Sequence, residues 1–355
     1  IDVPSGLRDS GAMDDTVLKT DITLAIEPGS TALFTPHNRG LCGSILPARA
    51  VFPQALILQR TTDVLLSRTV DPMEETHKWG KIDCDAYKKT RGEVDILAGD
   101  RGTSGAALLA SRAAQAAGSG YVRLWVPPLI QASLAAHAGG VVLNAHEGLP
   151  LPPSLCASPA AILAGPGWPG PEAESPSSHR EHSLEALCAL EATGRPLVLD
   201  AGALYLLNSR RFSGRALLLP HPGEFRALCG CSKEVLELDP DPLLKETAAR
   251  LNAVIVLKGS VSRVAAPDGR MAVLDGRFPA LACAGSGDVL AGLCVSLLSR
   301  LYFTEGTSFD TSSVFDASCL AIRLHLAAAE RAAQDGGFFD PMALNAALAR
   351  LCADI

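Results

Sequence analysis

The stretch "ACAGSGDVLAGL" has the residue types of an anion site followed by a helix. Its small residues come directly before Asp288, where an apolar helical pattern begins. Backbone N–H groups at a helix N-terminus create a positive potential that suits a phosphate or a developing oxyanion. The N–H groups in question are those of Ala284, Gly285, Ser286 and Gly287. A carboxylate beside them could orient or deprotonate a hydroxyl, but Asp288 in a first turn would also stabilise an ordinary helix by charge–dipole attraction.

The stretch "LPHPGEF" at 219–225 offers a histidine and a carboxylate on a stiff backbone. Two prolines would fix the direction of His221 at little entropic cost. The carboxylate of Glu224, on the following turn, could hold a Mg²⁺ ion through water. A rigid strand–helix junction in which Glu224 caps the helix is the alternative interpretation.

Three weaker motifs follow predicted strands. The glycine-rich turn of "AGDRGTSGAALLA" at 98–110 could face a phosphate, or could only allow close packing of a helix. The glycines of "AGPGWPG" at 164–170 would let the backbone approach a flat ligand, although a plain surface turn explains them equally well. Lys258 in "LKGS" ends a predicted strand, where a cation could meet phosphates, but a single lysine is more often solvated.

Composition and charge argue against several classes of protein. The chain has 355 residues, of which 48% are hydrophobic and 19% charged, so a sizeable core is expected. A net charge of −7 argues against a nucleic-acid partner, because phosphate binding needs a basic face, and no apolar run is long enough to predict a membrane span. The ten cysteines are scattered and form no CxxC pair, which favours reduced thiols and a cytoplasmic protein. The start "IDVPSGL" lacks the features of a signal peptide and looks like the middle of a longer protein.

Short apolar runs alternate with helical patterns from about residue 77 onwards, which predicts an α/β fold with a mainly parallel sheet. The predicted strands are 93–99, 121–126, 141–145, 160–165, 196–200, 215–220 and 253–259, and the predicted helices include 105–117, 183–193, 241–252, 314–334 and 341–352. A Pro-Asp-Gly turn within "SRVAAPDGRMAVLD" predicts a hairpin. Because ligands bind at the carboxyl ends of parallel strands, we expect the motifs above to meet at one edge of the sheet.

Three segments are predicted along the chain. Residues 1–52 hold short apolar pieces between prolines and glycines, as at the end of a domain whose beginning is missing. Residues 53–76 form a linker of mixed polarity, and residues 77–355 form the α/β domain.

The order of the motifs resembles that of the ribokinase-like superfamily, and within it that of the ADP/ATP-dependent NAD(P)H-hydrate dehydratases. Five motifs occur in the family's order: a His-Lys pair at His77–Lys78, then "GPG", "PHPGE", "KG" and "GSGD". They extend over nearly the whole of residues 77–355. The resemblance implies a three-layer α/β/α fold with a central, mostly parallel sheet.

Residues 1–52 resemble the end of an NAD(P)H-hydrate epimerase domain, which is Rossmann-like and often precedes the dehydratase. "IDVPSGL" is similar to that family's "VDIPSGL". The resemblance implies that Asp2 would contact the hydrate and that Ser5 would help to bind K⁺. Epimerase activity is not expected from this short segment alone.

The resemblance also implies a reaction, the repair of NADHX and NADPHX, which are hydrated forms of the reduced nicotinamide cofactors. ADP or ATP, with Mg²⁺, would phosphorylate the added hydroxyl, and loss of phosphate would restore NADH or NADPH. Asp288 would act as the base, and it would contact the hydrate together with Ala106, Gly167 and His221. The residues implied to contact the adenine nucleotide are Lys258, Gly259, Ser260, Val261, Ser262 and Gly287. Family members are often tetramers, so a homo-oligomer is expected.

The chain departs from the family's pattern at several positions. Phe278 and Cys283 stand where the family has Asn and Thr, and Gly202 and Tyr205 replace polar groups. The run "KIDCDAYKKT" at 81–90 resembles an insertion. A small-molecule kinase of the same superfamily and a nucleotide-binding homologue without turnover therefore stay as alternatives, although "PHPGE" argues against the kinase.

Overall fold

Two sheets form the framework of the chain in a computed structural model. The first has two strands near the N-terminus and the second has ten. The structure describes residues 1–7, 17–27, 29–49, 51–53, 55–56, 64–67, 82, 84–148, 150–171, 178–207, 210–334 and 337–353.

The large sheet is parallel except at one strand. The strands are Ile22–Ile26 (β1), Ser44–Ala48 (β2), Val64–Ser67 (β3), Glu93–Leu97 (β4), Tyr121–Val126 (β5), Val142–Ala145 (β6), Ala161–Ala164 (β7), Leu197–Leu199 (β8), Ala216–Leu218 (β9), Val254–Leu257 (β10), Val261–Ala265 (β11) and Met271–Asp275 (β12). The order across the large sheet is β3-β12-β11-β10-β9-β8-β7-β4-β5-β6, and only β11 runs antiparallel to its neighbours. The predicted hairpin is β11–β12, and β1 pairs with β2 in parallel.

Helices cover both faces of the large sheet. They are Ser104–Ala116 (α1), Pro128–Ala135 (α2), Pro153–Cys156 (α3), Ser178–Ala192 (α4), Pro222–Cys229 (α5), Lys233–Leu238 (α6), Asp241–Leu251 (α7), Ser286–Glu305 (α8), Thr311–Gln334 (α9) and Pro341–Cys352 (α10). Alternate residues of a strand serve opposite faces. In β10, Val254 and Val256 belong to the core cluster that includes residues of α1, α8, α9 and α10, whereas Ile255 and Leu257 belong to the cluster that includes residues of α4 to α7. The three-layer α/β/α fold is therefore confirmed.

Small residues let α8 pack closely against α1. A Cβ on Gly292 of α8 would lie 2.1 Å from the carbonyl oxygen of Ala110 in α1, so any larger residue would force the helices apart. The hydroxyls of Ser119 and Ser296 are 2.7 Å apart across the same contact. This packing fixes the position from which α8 begins.

The stretch from α8 to Ser308 is, by length and composition alone, apolar enough to cross a membrane, and it is the one such stretch in the described part of the chain. Inside the protein, 72% of its apolar window is buried. Packing in the core between the sheet, α1 and α9 accounts for this hydropathy.

The N-terminal segment is attached to the hairpin by buried arginines. Arg39 donates to both carboxylate oxygens of Asp275 in β12, at 3.0 and 2.6 Å. Arg263 of β11 donates to the carbonyl oxygen of Phe34 at 2.6 Å. Both arginines are almost fully buried, so this segment is part of the packed structure.

One strand was not predicted from the sequence. β3 lies within residues 53–76 and pairs in parallel with β12, so the large sheet includes residues before 77. Most of the remaining linker and the His77–Lys78 pair lie outside the described residues. The other predicted elements are present, and the largest shift is in α4, which begins at Ser178 instead of 183.

Candidate active site

The carboxyl ends of four adjacent strands bring the predicted motifs together. β7 is followed by Gly165, β8 by Asp200 and β10 by Lys258, while β9 leads to His221. The N–H of Lys258 donates to the carbonyl oxygen of Pro220 at 2.9 Å, which ties two of these ends to each other. The site therefore lies where ligands bind in open parallel sheets.

An ion pair between Asp200 and Lys258 lies at the base of the site. The Nζ atom of Lys258 is 2.5 Å from Oδ1 of Asp200, and Asp200 is 2% exposed. The same Oδ1 accepts a hydrogen bond from the N–H of Ala201 at 2.9 Å. Lys258 is thus a paired cation whose side chain is only 18% exposed, and the interpretation as a solvated surface lysine is wrong.

The glycine-rich loop before α8 leaves backbone donors available. Gly285 precedes the helix with a φ of 94°, and a Cβ there would lie 2.6 Å from Cδ1 of Leu109. Both constraints require glycine at this position. The first N–H groups of a helix have no intrahelical acceptor, and those of Gly287 and Asp288 donate to no group in the described part of the chain. A Cβ on Gly287 would be 3.7 Å from Nζ of Lys258, so a cation lies beside these donors.

Ser286 and His325 hold this loop in place. The hydroxyl of Ser286 lies 2.9 Å from the carbonyl oxygen of Leu281 and 3.0 Å from that of Cys283. Nε2 of His325 donates to the carbonyl oxygen of Ser286 at 3.0 Å. Burial lowers the pKa of His325 to about 4, against the effect of this hydrogen bond and together with the charge of Lys258. The ring is therefore neutral at pH 7 and serves as a fixed donor.

Two departures from the family pattern lie in this loop. Phe278, at an Asn position, is partly buried against the hydrophobic core. Cys283, at a Thr position, contributes its carbonyl oxygen to the hydroxyl of Ser286. In this chain, backbone carbonyls and Ser286 hold the loop where the family has two polar side chains.

Asp288 has the protonation behaviour of a general base. Burial, helped by the negative charge of Asp200 and opposed by Lys258, raises the pKa of Asp288 to about 7. The most effective base has a pKa near the working pH, because it is then largely ionised and still basic. Asp288 is the third residue of α8, so it belongs to the same first helix turn as these N–H groups, as both interpretations of the sequence expected.

Lys258 lies among three carboxylates, those of Asp200, Glu224 and Asp288. Burial alone would lower the pKa of Lys258, but the charges of Asp200, Glu224 and Asp288 outweigh burial and raise it. Burial also raises the pKa of Glu224, against the attraction of Lys258. Both Glu224 and Asp288 therefore ionise less readily than exposed carboxylates, because the effect of burial outweighs the attraction of Lys258.

The "PHPGE" motif forms a capping box at the start of α5. Nδ1 of His221 accepts from the N–H groups of Gly223 and Glu224, and Glu224 accepts from the N–H of His221 at 2.8 Å. A Cβ on Gly223 would lie 2.8 Å from Cε1 of His221, so glycine makes room for the ring. The capping interpretation is thus observed, and the side chain of His221 stays 54% exposed.

The residues around Glu224 suit a Mg²⁺ ion whose main ligands are water and the phosphates of a nucleotide. No group of three or more His, Cys, Asp or Glu side chains in the described ranges could hold a metal. One oxygen of Glu224 accepts from backbone N–H, and the other lies 3.3 Å from Nε2 of His221. Mg²⁺ usually keeps several waters and binds one or two carboxylates plus substrate phosphates. Contact with Glu224 through water agrees with this chemistry.

Two glycine-rich loops bring Ala106 and Gly167 together. The N–H of Gly99 donates to the carbonyl oxygen of Pro166 at 2.8 Å, and the hydroxyl of Thr103 donates to that of Gly167 at 2.6 Å. A Cβ on Gly167, whose φ is 71°, would lie 3.0 Å from the Cβ of Ala106. These two predicted contact residues therefore border one surface.

The loop from Gly165 to Trp168 also packs against the residues after β8. A Cβ on Gly165 would lie 1.9 Å from the carbonyl oxygen of Asp200, and one on Gly202 would lie 2.6 Å from Cβ of Trp168. The glycine at 202, a departure from the family pattern, thus makes room for the tryptophan at 168.

The predicted nucleotide-contacting residues divide into two groups. Gly259 and Ser260 are exposed next to Lys258, whereas Val261 and Ser262 are buried within β11. The hydroxyl of Ser262 donates to the carbonyl oxygen of Gly259. The side chains of the second pair thus support the turn.

Asp2 and Ser5, the residues of the epimerase resemblance, are far along the chain from these motifs. Asp2 lies beside β1. Asp2 has a φ of 70°, donates its N–H to the carbonyl oxygen of Leu24 at 2.7 Å and accepts from the N–H of Ile26 at 3.4 Å. Ser5 is exposed.

Sequence reasoning missed two residues of the site. Asp200 follows a predicted buried strand, so the rule that ligands gather at strand ends could have identified it. His325 lies in the middle of a long alanine- and leucine-rich helix, and nothing in its neighbouring residues indicates a contact with Ser286.

Comparisons with known proteins agree with this geometry. The model of a family described as NAD(P)H-hydrate dehydratase matches residues 94–350. The bifunctional NAD(P)H-hydrate repair enzyme Nnr of Salinibacter ruber is 30% identical over 371 residues, covering 98% of this chain and 63% of that protein. The alignment must include most of residues 1–52. The chain spans less than two thirds of the length of such bifunctional relatives.

Two solved structures share the fold. A ribokinase-like superfamily protein of Enterococcus faecalis has a TM-score of 0.67 at 20% identity, covering 82% of this chain and 95% of that one. The ADP/ATP-dependent NAD(P)H-hydrate dehydratase of Bacillus subtilis, co-crystallised with ATP and Mg²⁺, has a TM-score of 0.62 at 27% identity, covering 76% and 92%. The expected ribokinase-like fold is confirmed. This chain belongs to the NAD(P)H-hydrate dehydratase family.

Proposed function

We propose that this chain is a nucleotide-dependent NAD(P)H-hydrate dehydratase that returns NADHX and NADPHX to NADH and NADPH. One observation carries the proposal: Asp288, with a pKa of about 7, lies in a helix turn beside Lys258, and the first N–H groups of this turn have no acceptor among the described residues. Such a turn can bind a transferred phosphoryl group while the carboxylate acts on a hydroxyl.

In the proposed first step, ionised Asp288 accepts the proton of the substrate hydroxyl. The hydroxyl oxygen forms a bond to the terminal phosphorus of ATP or ADP, and the bond from that phosphorus to the nucleotide breaks. In the second step phosphate leaves, a proton is lost from the neighbouring carbon, and the ring double bond is restored. The N–H groups of Gly287 and Asp288 would stabilise negative charge on the phosphoryl oxygens.

The remaining residues would orient the two reactants. Ala106 and Gly167 border a surface on which the backbone can approach a flat ring, and His221 presents an exposed ring held by its capping hydrogen bonds. We place the adenine nucleotide near Lys258 to Ser262 and Gly287. Mg²⁺ bound to its phosphates would neutralise part of their charge, since Lys258 is already paired with Asp200.

The test is to mix the protein with NADHX, Mg²⁺ and either ADP or ATP, and to follow the absorbance of NADH. Recovery of NADH that depends on the nucleotide and releases one phosphate per NADH supports the proposal. No recovery by the parent protein would overturn it. Phosphorylation of a vitamin or sugar without NADHX repair would identify a kinase instead, and tight nucleotide binding without either reaction would identify a homologue without turnover.

Several expectations stay predictions. These are the choice between ADP and ATP, a cytoplasmic location, homo-oligomeric or tetrameric assembly, a K⁺ contact at Ser5 and a hydrate contact at Asp2.

A further inference from the structure

Two cysteines face each other at the end of α5. Cys229 is the last residue of this helix, and Cys231 follows it after a single glycine. Their Sγ atoms lie 3.0 Å apart, and both residues are free thiols. A disulfide bond is about 2.05 Å long, so the two sulfur atoms would have to approach each other by only about 1 Å to form one. The pair therefore needs little movement to become a disulfide.

The backbone on both sides of the pair holds the two sulfur atoms together. Gly230, between them, has a φ of 73°, the left-handed conformation in which glycine commonly ends a helix. Its N–H donates to the carbonyl oxygen of Arg226 at 2.8 Å. After Cys231, the hydroxyl of Ser232 accepts a backbone N–H of α6 and caps that helix. The contact between the thiols is thus set by a helix end and a helix start.

The pair lacks the ligands of a metal site. The sulfur ligands of a tetrahedral zinc site lie about 3.8 Å from each other, farther apart than these two atoms. The described ranges contain no group of three or more His, Cys, Asp or Glu side chains that could hold a metal. Two sulfur atoms in contact, without a third ligand, suit oxidation better than chelation.

A bond between these cysteines would be reversible. Both residues are partly exposed, while they also pack against the core cluster beneath α5. A disulfide here would close a loop with one residue inside it, and short loops give the smallest stabilisation. Exposed disulfides are also the ones that thiols reduce most readily. The pair is therefore suited to a redox reaction and not to a permanent crosslink.

The two thiols differ in reactivity. Burial raises the pKa of Cys231, and the hydrogen bond and the charge of Cys229 raise it further. The thiolate is the nucleophile in disulfide exchange, so Cys231 is the poorer nucleophile for a first attack. This order leaves the attack on an oxidant to Cys229 and the closing of the disulfide to Cys231.

We infer that Cys229 and Cys231 are a modification site, a dithiol that small-molecule disulfides oxidise reversibly. The thiolate of Cys229 attacks one sulfur of such a disulfide, forms a mixed disulfide and releases one thiolate. Cys231 gives its proton to solvent, attacks the sulfur of Cys229 and displaces the second thiolate. The two cysteines thus lose two electrons and two protons, which the small-molecule disulfide gains as it becomes two thiols.

This modification site is separate from the candidate active site. His221 precedes the first residue of α5, whereas Cys229 is the last residue of this helix. The helix has eight residues, so its two ends lie about 12 Å apart. The inference does not depend on the proposed function, and its test needs no hydrate.

The test treats the folded protein with oxidised glutathione, alkylates the remaining thiols and analyses the peptides by mass spectrometry. Trypsin cleaves after Arg226 and Lys233, so Cys229 and Cys231 leave in one peptide. In the parent, this peptide should lack two hydrogens and carry neither glutathione nor alkyl groups. An excess of reduced glutathione should restore alkylation of both thiols. Cys156, which is exposed, is the internal control and should carry glutathione.

Two serine variants test the roles of the thiols. In Cys231→Ser the reaction should stop at a mixed disulfide on Cys229, because no second thiol displaces glutathione. Cys156→Ser, the matched control, should leave the disulfide of the pair unchanged. Glutathione retained on the pair in the parent, or two free thiols there after Cys156 has reacted, would overturn the inference. A disulfide that excess reduced glutathione fails to open would overturn it as well.

Discussion

Two groups of buried charges in this protein have opposite balances of donors and acceptors. In the first, Asp95 of β4 accepts hydrogen bonds from Arg123 at 2.7 and 2.8 Å, from Trp125 at 2.8 Å and from Arg195 at 3.4 Å. Two guanidinium groups and an indole therefore donate to one carboxylate. In the second, the single charge of Lys258 interacts with the carboxylates of Asp200, Glu224 and Asp288.

The difference distinguishes a structural cluster from a functional one. Around Asp95 each carboxylate oxygen has its donors within the protein, so this group needs nothing from outside. Around Lys258 the carboxylates exceed the cations, and the N–H groups of Gly287 and Asp288 donate to nothing in the ranges that the structure describes. Groups that lack partners within the protein can find them in a ligand, and perturbed pKa values are common at such sites.

The largest expected effect is on turnover. Asp288→Asn keeps the shape of the side chain but removes the base, so kcat for NADHX repair should fall about 10³-fold. Absorbance of NADH measures this change, and ATP binding should stay close to that of the parent. An equally active variant would show that another group accepts the proton.

The second effect is on stability and separates the two clusters. Asp95→Asn leaves two buried guanidinium groups without their counter-charge, and it should reduce the free energy of unfolding by about 3–5 kcal/mol. Asp200→Asn should reduce the free energy of unfolding by a smaller amount, because Lys258 keeps Glu224 and Asp288 as partners. Urea denaturation measures both variants. A larger loss for Asp200→Asn would refute the distinction between the clusters.

Two glycines of the loop before α8 provide a matched pair. Gly285→Ala would place a Cβ 2.6 Å from Leu109 at a positive φ, so we expect a loss of about 1–3 kcal/mol in the free energy of unfolding. In Gly287→Ala the new Cβ would lie 3.7 Å from Nζ of Lys258, an ordinary contact. This variant should therefore have an unchanged or slightly larger free energy of unfolding. Its kcat/KM should nevertheless fall, because the methyl group enters the space between the N–H groups and the cation. Equal stability of the two variants would contradict this account.

The smallest effect concerns stability and pH. The pKa of Asp288 is about 7 in the folded protein, above its ordinary value, so the folded state retains a proton that the unfolded state loses. This group therefore reduces stability progressively as pH rises from about 4 to about 7. Asp288→Asn should be more stable than the parent at pH 8 by about 1–2 kcal/mol, allowing for solvent screening, and equally stable near pH 3. Thermal unfolding at both pH values measures this, and a difference that does not change with pH would contradict the raised pKa.

The sequence predicted the fold and the carboxylate that we propose as the base, Asp288, but not the charge balance around it. Alternating strands and helices, and a glycine-rich turn before Asp288, are local patterns and could be read directly. Asp200 and His325 act through contacts with residues 58 and 39 positions away, at Lys258 and Ser286, and no local pattern encodes such contacts. The ion pair of Arg180 with Asp100 likewise joins residues 80 positions apart.

The most direct test of the central claim is the pH dependence of kcat/KM for NADHX in the parent and in Asp200→Asn. The account predicts that the rate of the parent rises with pH and levels off above about 7, since Asp288 must be ionised to accept the proton. In Asp200→Asn the rise should occur at lower pH, because the negative charge that helps to raise the pKa of Asp288 is gone. A flat profile between pH 5 and pH 8, or a rise that the substitution does not move, would contradict the claim that Asp288 is a base tuned by this cluster.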